Sequence, residues 1–468
     1  MTPKPQLLTD EQMRRFIVDG YLVFKPELPV DFHEKVYQKL DKVVHKEGNP
    51  GNNILPAVPE MQALLDTPEV RGAMQSVLGG NYLLHPHRFV HNNEPRIMTE
   101  EGSRAGAGSA LLIGWHQDSH SPLARPRHHF CRYAMLLYYP QDTPPEMGPT
   151  QLIPGSQYSP DLTNKMKESG HIVPGEAGSC ILVHFDVGHG GSLNVADKTR
   201  FMVKWVFTRI EEPASPSWNS LEKAWQAPQT HEYPVDVAAH AHIWNWFSGI
   251  KRQPFEENVV SGQIGLLNTG VRVKNSNGWN EQAIVFEEEA YNLASLGKQA
   301  VPALCENLKS DNEWIKLNMI FALGEIGSDA QEAIPNLLEL LNSESHPIVR
   351  TTLDALGQIC AGTRASFPEI HSLMKISYPA WQTPYYRQWT GHDQVRVNAI
   401  TALMRIGDQS QEAEGAAIES LNDCCGYVGG FGVEYLLRIG SVTALRAAIS
   451  YLQSHRWDDS LMRSVRTF

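Results

Sequence analysis

The sequence has few cysteines, and their spacing does not fit a disulfide framework or a structural zinc site. There are 6 cysteines in 468 residues, and no two of them follow the C-x-x-C pattern. Disulfide-stabilised secreted domains carry a far higher cysteine density, and zinc ribbons use cysteine pairs at that spacing. We therefore expect the adjacent Cys424 and Cys425 to be reduced residues buried in packing.

The sequence also lacks a long apolar run and a block of basic residues. No stretch approaches the roughly 18 apolar residues of a membrane span, and the opening MTPKPQLLTDEQ has no apolar signal-peptide core. The 40 basic and 52 acidic side chains give a formal charge of −12, which disfavours nucleic acids and anionic membranes as partners. We expect a cytoplasmic protein whose partners are small molecules or proteins, with no nucleic acid and no membrane.

The composition is that of an ordinary globular chain, with 42% hydrophobic and 20% charged residues and a length typical of two or three domains. Thr9 and Gln12 form a capping-box pattern that predicts a first helix, followed by a strand from Gly20 to Phe24. Short apolar segments then alternate with Gly- and Pro-containing loops as far as Arg209. These segments are YLLHPHRFV, RYAMLLYY, TQLIPGS, SCILVHF and RFMVKWVF. They predict an antiparallel β-sandwich or barrel.

The C-terminal part repeats itself at a fixed period. AVPAL at Ala300 recurs as AIPNL at Ala333, and ALGEIG at Ala322 recurs as ALGQIC at Ala355, each 33 residues apart. A fixed period of this length is typical of stacked helix pairs, and the motifs resemble HEAT repeats. We therefore predict a multidomain protein of α and β structure with a β domain over 1–210, a tryptophan-rich connecting or covering region over 211–288, and a HEAT-like α-solenoid over 289–468.

A metal site is suggested by the stretch GWHQDSH. In an extended backbone, side chains two residues apart point to the same side, so His116 and Asp118 can approach one ion together. His189 ends a later apolar strand and can supply a third ligand. Two histidines and one carboxylate form the facial triad of non-haem ferrous oxygenases, which leaves room for a chelating cosubstrate and oxygen. By contrast, we expect His184 to be a packed or hydrogen-bonded strand residue.

Arg200 opens the strand that follows His189. Its planar guanidinium can grip the distal carboxylate of 2-oxoglutarate through two parallel charge-assisted hydrogen bonds, which would fix the angle at which the keto-acid end reaches iron. The stretch Gly102 to Ala110 is rich in Gly, Ala and Ser. We interpret it as an ordinary flexible loop, with a mobile lid over the site as the alternative.

Taken together, these motifs resemble the phytanoyl-CoA dioxygenase family over about Thr9 to Arg209. The residues that carry the resemblance are DGYLVF from Asp19, WHQD from Trp115, GPTQLIPGSQY from Gly148, and His189 with Asn194 and Arg200. The resemblance implies a double-stranded β-helix of the jelly-roll or cupin type. It also implies Fe(II) held by His116, Asp118 and His189, with 2-oxoglutarate anchored by Arg200 and O2 as the second cosubstrate.

The sequence departs from the family at the remaining cosubstrate contacts. Many relatives carry a lysine or similar polar group on the strand before the HxD motif, where this chain offers Arg88, His91 or Asn92, and we favour Asn92. Ser192 is shifted one position from the serine of relatives, so its contact with 2-oxoglutarate is an open question, while Asn194 is retained. The alternative is that Asn92 and Ser192 only form turns.

The resemblance predicts an Fe(II)/2-oxoglutarate-dependent dioxygenase that hydroxylates a C–H bond of a small organic molecule and releases succinate and CO2. Related halogenases replace the carboxylate of the HxD motif with a small residue, so Asp118 favours hydroxylation. The competing hypothesis is an interaction protein in which the HEAT-like repeats bind a protein partner and the β domain is catalytically weak or inactive. A combination of the two would use the repeats to recognise a carrier or protein substrate.

Overall fold

The computed structural model describes residues 3–96, 114–118, 130–159, 162–233, 238–250, 290, 292–382, 384–386 and 389–455. These residues form two compact units, the first made of those up to residue 250 together with residue 455, and the second of those from 290 to 454. The Gly102 to Ala110 stretch, interpreted above as a loop or lid, lies outside the described residues.

The first unit mixes helices with two antiparallel sheets. Its α-helices are α1 (Asp10–Asp19), α2 (Phe32–Lys42), α3 (Ile54–Ala57), α4 (Gln62–Leu65), α5 (Pro68–Leu78), α6 (Asn164–Glu168) and α7 (Ala238–Phe247). Its strands are β1 (Tyr21–Phe24), β2 (Leu83–Asn93), β3 (Tyr133–Tyr138), β4 (Thr150–Ile153), β5 (His171–Ile172), β6 (Cys180–His184), β7 (Gly188–Gly191) and β8 (Arg200–Thr208). Each of the apolar segments predicted as strands overlaps one of them.

The predicted first helix and strand are confirmed. Thr9 caps α1 through a capping box in which its hydroxyl accepts from the Gln12 backbone and the Gln12 side chain accepts from the Thr9 backbone. The helix ends at Gly20, whose φ of 80° lies in the left-handed region that glycine adopts without strain. The chain therefore reverses directly into β1.

The two sheets pack over one apolar core. Five strands form the first sheet in the order β1-β6-β3-β8-β2, and three form the second in the order β5-β4-β7. Met135, Val183 and Met202 of the first sheet share a buried cluster with Leu152 of the second and with Val173, which follows β5. The faces of the two sheets that meet in this cluster are called the inner faces. The predicted antiparallel β-domain is thus present, while its closure as a double-stranded β-helix stays a prediction.

The opposite face of the five-stranded sheet is covered by helices. Phe201 of β8 contacts Tyr37 of α2, with ring centroids 5.4 Å apart, and Tyr138 of β3 hydrogen-bonds His33 of α2 at 2.9 Å. Because alternate residues of a strand face opposite sides, β8 presents Phe201, Val203 and Trp205 outward and the residues between them inward.

The described part of the tryptophan-rich region belongs to the first unit as far as residue 250. Residues 211–233 run largely without helix or strand and lie against α1. The Trp218 indole donates to Asp10 at 2.6 Å, and Asp19 accepts from the backbone of Glu232 and Tyr233. Two carboxylates of α1 thereby fix a segment that the sequence had suggested only as a covering layer.

The second unit consists mainly of paired helices. They are α8 (Val301–Asn307), α9 (Glu313–Ile326), α10 (Ile334–Leu340), α11 (His346–Ile359), α12 (Phe367–Leu373), α13 (Gly391–Ile406), α14 (Gln411–Ser420), α15 (Gly426–Ile439) and α16 (Val442–His455), with short strands β9 (Pro384–Tyr386) and β10 (Trp389–Thr390). Within each of the pairs α8/α9, α10/α11, α12/α13 and α14/α15 the two helices contact one another, and α9, α11, α13 and α15 stack in succession. The predicted helical repeat architecture is confirmed.

The period of 33 residues has a structural cause. Pro302, Pro335 and Pro368 each occupy the second position of a helix, where the missing N–H leaves no hydrogen bond unmade. Gly324 and Gly357 lie where successive helices touch. An added Cβ would come within 3.1 Å of the Ala355 Cα at the first position and within 3.2 Å of the Ala402 Cα at the second.

The cysteines are free, as expected, but the two adjacent ones differ. Cys425 is buried, whereas Cys424 is exposed and its sulfur accepts a hydrogen bond from Arg396 at 3.3 Å. The prediction that both are buried packing residues is therefore wrong for Cys424. Within the described ranges, no helix combines the length and the apolarity needed to cross a bilayer.

Candidate metal centre

The two candidate histidine ligands are joined by the backbone of the second sheet. His189 lies in β7, and its main chain exchanges hydrogen bonds of 3.0 and 2.9 Å with that of His116, forming an antiparallel bridge. His189 also pairs with Leu152 of the core, so it faces the inner side. The bridge brings the two imidazole centroids to 4.2 Å.

Asp118 completes the group. One ligand atom from each of His116, Asp118 and His189 lies within 4.8 Å of the others. The Nε2 atoms of His116 and His189 are each 3.5 Å from a carboxylate oxygen of Asp118, Oδ1 for the first and Oδ2 for the second. The predicted donor set of two nitrogens and one carboxylate is therefore assembled, and no further His, Cys, Asp or Glu of the described chain belongs to the group.

Hydrogen bonds to the Nδ1 atoms of both histidines leave their Nε2 atoms free to bind a metal. The Nδ1 atoms of His116 and His189 each lie 2.9 Å from a backbone carbonyl, that of Gly114 and that of Val187. A carbonyl only accepts, so each Nδ1 carries the hydrogen in the neutral ring and each Nε2 keeps a free lone pair. This is the tautomer that metal-binding histidines use.

The charge states also suit a cation. Burial, followed by the charge of His189, lowers the pKa of His116, which keeps its imidazole neutral at neutral pH. Burial would raise the pKa of Asp118, but the charge of Lys204 and the hydrogen bond and charge of His189 outweigh it, so the pKa falls well below its usual range. The centre therefore offers a carboxylate and neutral imidazole nitrogen.

Gln117 anchors the short stretch between the two ligands. Its side-chain amide donates to the backbone carbonyls of Ser156 at 3.1 Å and Asp186 at 2.8 Å. In an extended backbone, the Gln117 side chain points to the opposite side from those of His116 and Asp118. Its hydrogen bonds to two loops therefore fix the direction in which the two ligand side chains face.

Arg200 is buried, with 4% of its surface exposed, and faces the inner side of β8. Its Nε and Nη2 donate to the Gly148 carbonyl at 3.0 and 2.8 Å. Burial lowers its pKa from the usual value. No carboxylate of the described residues forms a salt bridge with Arg200, so its Nη1 donors are available for an anionic ligand.

The structure does not bring Asn92 together with Arg200. Asn92 pairs with Phe201 on the helix-covered face, where its amide donates to Glu94 at 2.8 Å. The neighbours Asn93 and His91 instead pair with Arg200 and Met202 and so share the inner face. His91 is the alternative on this strand that lies near the centre, and burial, followed by the charges of Lys204 and Arg200, lowers its pKa well below the usual value.

Ser192 and Asn194 lie beside Arg200 but their polar groups bind the backbone. The Ser192 hydroxyl donates to the Pro149 carbonyl at 2.6 Å. The buried Asn194 amide donates to the carbonyls of Asn93 and Lys198 at 2.7 and 2.8 Å. In this structure both residues shape the loop that carries Gly148, which agrees with the turn-forming alternative given above for Ser192.

His184 is a packed strand residue, as predicted. It faces the outer side of β6, where its ring lies 6.3 Å from that of Phe16 in α1, and its Nδ1 accepts from the Asp186 backbone. Strand alternation therefore separates it from His189, although the two histidines lie only one short turn apart.

Lys204 and His87 are the polar residues at the centre that the sequence interpretation missed. Lys204 donates to Asp118 Oδ2 at 2.6 Å. Burial, followed by the charge of Lys204, lowers the pKa of His87 to about 4. Lys204 could have been found from the alternation of β8, because Arg200, Met202 and Lys204 must share one face. His87 could not, because the β2 register shifts between Leu84 and Arg88.

The comparisons with known proteins agree with this arrangement. Residues 61–202 match the family described as phytanoyl-CoA dioxygenase (PhyH), and residues 290–374 match HEAT repeats. The first range contains all three members of the metal group. No curated protein matches the chain.

The solved structures that are similar to the chain have low sequence identity to it. The non-heme alpha ketoglutarate dependent carbocyclase SnoK from nogalamycin biosynthesis is 18% identical, over 44% of this chain and 88% of its own, with a TM-score of 0.33. The epimerase SnoN from the same biosynthesis is 17% identical over 49% and 93%, with a TM-score of 0.34. EctD from S. alaskensis, solved with 2-oxoglutarate and 5-hydroxyectoine, is 16% identical over 49% and 92%, with a TM-score of 0.35.

The metal group and the family match coincide in one part of the chain, and the stacked helices and the repeat match coincide in another. The chain carries a phytanoyl-CoA dioxygenase domain at residues 61–202, followed by HEAT repeats at residues 290–374.

Proposed function

We propose that the protein is an Fe(II)- and 2-oxoglutarate-dependent dioxygenase that hydroxylates a small organic molecule. The observation that carries this proposal is the convergence of His116, Asp118 and His189, with ligand atoms within 4.8 Å of one another. When bound, iron with 2-oxoglutarate and O2 supplies the oxidation of a substrate C–H bond, with release of succinate and CO2. The protein supplies the ligands, the orientation of the cosubstrate and the exclusion of competing reactions.

The residues present fit this metal. Imidazole nitrogens and a carboxylate suit a first-row divalent ion, and a set of three protein ligands leaves positions for a chelating cosubstrate and oxygen. Both histidines have their Nδ1 hydrogen bonded to a carbonyl, which leaves Nε2 to the ion. A structural zinc site would instead be expected to close its coordination sphere with a fourth protein ligand.

Arg200 is the residue that would hold the distal carboxylate of 2-oxoglutarate. Its guanidinium is buried on the inner face of the five-stranded sheet, which packs against the sheet that carries His189, and the Gly148 carbonyl engages only Nε and Nη2. The remaining N–H donors can form the paired contacts that a carboxylate prefers. His91, which faces inward, is the β2 residue that replaces Asn92 in this proposal, because the Asn93 amide already donates to the Ser192 carbonyl at 2.9 Å.

Hydroxylation is proposed over halogenation because Asp118 retains the carboxylate that related halogenases lack. The side chain lies between the two histidines, so it occupies the position that a chloride ion would need. The second unit is proposed to bind a protein or a carrier that presents the substrate, since HEAT repeats are commonly extended binding surfaces.

The test is succinate formation by the intact protein after anaerobic loading with Fe(II), given 2-oxoglutarate and O2. We expect slow succinate formation without added substrate and its loss in Asp118→Ala. His184→Gln is the matched control, because it removes a nearby histidine on the opposite face of the sheet, and it should retain turnover. Absence of both iron binding and turnover in the unmodified protein would favour the interaction-protein hypothesis.

A further inference from the structure

Lys204 is a buried cation within the inner face of the five-stranded sheet. Its side chain is 8% exposed, and its Nζ lies 2.6 Å from Asp118 Oδ2. Leu137 of β3 and Phe89 of β2 pair with it on either side, so apolar neighbours flank its aliphatic stem. An ammonium group in such surroundings is costly unless an anion accompanies it, and Asp118 is the carboxylate in contact with it.

The two oxygens of Asp118 have different surroundings. Oδ2 receives the short hydrogen bond from Lys204, whereas Oδ1 lies 3.5 Å from His116 Nε2. Oδ2 is also 3.5 Å from His189 Nε2, but its contact with the ammonium is the closest of those made by either oxygen. A carboxylate held in this way presents one oxygen to an ion and keeps the other on a protein donor.

We propose that Lys204 is a positioning residue that makes Asp118 a one-oxygen ligand of the metal. This inference rests on the proposed function and adds to it a reason why the centre keeps its open positions. A carboxylate that binds an ion through both oxygens takes up one more coordination position, which the keto-acid end of 2-oxoglutarate requires. Lys204 acts through Asp118, and Arg200 on the same strand face acts on the cosubstrate itself.

The strand geometry separates these two roles. Arg200 and Lys204 are four residues apart in β8, which corresponds to about 13 Å along a strand. Arg200 lies beside the Gly148 loop and Lys204 beside the metal ligands. Loss of Lys204 should therefore alter the metal site before any cosubstrate is added, whereas loss of a direct contact to 2-oxoglutarate would not.

The experiment uses intact protein loaded anaerobically with Co(II) in place of Fe(II). The first readout is the metal-induced infrared difference spectrum, because the separation of the two carboxylate stretches is wider for one-oxygen than for two-oxygen coordination. The second is the affinity for 2-oxoglutarate measured by calorimetry. The variants are Lys204→Met, Lys204→Arg as the conservative change, and Lys198→Met as a matched loss of an exposed lysine shortly before β8.

We expect a wide separation between the two carboxylate stretches in the unmodified protein and in Lys198→Met. Lys204→Met should narrow the separation and weaken 2-oxoglutarate binding about tenfold, in the range usual for groups that orient metal ligands. Lys204→Arg should keep most of the separation between the carboxylate stretches and most of the affinity for 2-oxoglutarate. If Lys204→Met does not fold, as judged by its thermal melt, Lys204→Leu, which also lacks a hydrogen-bond donor, carries the same expectation.

The outcomes separate the two proposals. If the unmodified protein binds neither Co(II) nor 2-oxoglutarate, the proposed function fails. If it binds both and the Lys204 variants keep the wide separation, the positioning role is overturned while the proposed function stands. An unchanged infrared spectrum with weakened 2-oxoglutarate binding would also overturn it, because Lys204 would then contact the cosubstrate directly.

Discussion

At the scale of single residues, two buried cations of β8 have different surroundings. Lys204 holds Asp118, and Arg200 has only the Gly148 carbonyl as its described acceptor. A buried charge without a counter-charge is unfavourable, so the environment of Arg200 favours an anionic ligand. The sequence predicted the group of His116, Asp118 and His189 because two histidines and a carboxylate suit a ferrous ion and because the ordered motifs resemble a known family, and the structure brings these three residues together. The role of Arg200 stays a prediction.

Replacing Arg200 with lysine tests whether 2-oxoglutarate binding needs only a positive charge at this position or also the paired hydrogen bonds of a guanidinium. Lysine keeps the positive charge but cannot make two parallel hydrogen bonds to a carboxylate. The loss of one charge-assisted bond, about 1.5–3 kcal/mol, should raise the KM for 2-oxoglutarate about 10- to 100-fold. Succinate formation at saturating 2-oxoglutarate should be largely retained. An unchanged KM would remove Arg200 from the cosubstrate site.

Replacing Gly148 with alanine should disturb Arg200 indirectly. Gly148 has a φ of 69°, and an added Cβ would lie 2.5 Å from both the Asn93 amide nitrogen and the Ser192 carbonyl oxygen. The left-handed strain and the close contact cost about 1–3 kcal/mol and displace the carbonyl that Arg200 binds. We expect weaker 2-oxoglutarate binding by calorimetry and a lower melting temperature.

Gly80→Ala is the control for that change, because an added Cβ at Gly80 meets nothing within 4 Å. It should match the unmodified protein in both measurements. Equal effects of the two substitutions would show that the Gly148 loop does not position Arg200.

At the scale of elements, the sequence locates the strands but not the register that decides which of their side chains face inward. The apolar segments identify the strands because buried strands need apolar side chains wherever they lie. The choice between Asn92 and its neighbours depends on which residue faces inward, and β2 changes register between Leu84 and Arg88. A shift of one residue reverses every face, so the sequence could not exclude Asn92. His189 is the second residue of β7 and does not end the preceding apolar strand, β6, as the sequence had suggested, and His116 reaches it through a bridge outside the named strands.

The contact between α2 and the sheet predicts a dependence of stability on pH. Burial, followed by the charge of Lys25, lowers the pKa of His33, and its ring hydrogen-bonds the Tyr138 hydroxyl. The unfolded chain therefore takes up a proton near pH 6.5 that the folded protein takes up only at lower pH. The stabilising contribution is present above about pH 6.5 and is lost as the pH falls toward the lowered pKa.

His33→Gln should remove this part of the acid sensitivity. The melting temperature of the unmodified protein should fall more between about pH 7.5 and pH 5.5 than that of the variant. His231→Gln is the control because His231 is exposed, and it should behave like the unmodified protein. If the melting temperatures of His33→Gln and of the control fall equally over this pH range, His33 does not contribute to the acid sensitivity.

At the scale of the whole molecule, the sequence predicted an antiparallel β domain and a helical repeat, and the structure contains antiparallel sheets and stacked helix pairs. The repeat was detectable because stacked helix pairs reuse the same contact residues, such as Gly324 and Gly357. The extent of the first unit was harder to predict, since residues 211–233 lack a regular period and are fixed by hydrogen bonds to Asp10 and Asp19 of α1. Contacts between residues more than two hundred positions apart leave no local pattern. The cytoplasmic location and the predicted partners stay predictions.

The division into two units predicts how a metal ion should change the thermal unfolding of the protein. The members of the metal group all belong to the first unit, so a bound ion should stabilise that unit by about 2.7 kcal/mol at a free concentration a hundred times its dissociation constant. Scanning calorimetry with and without Co(II) should show one transition moving to higher temperature. Gly357→Leu, which forces α11 against Ala402 of α13, should lower the other transition and so identify it. If Co(II) raised the transition that Gly357→Leu lowers, the metal would be binding outside the group formed by His116, Asp118 and His189.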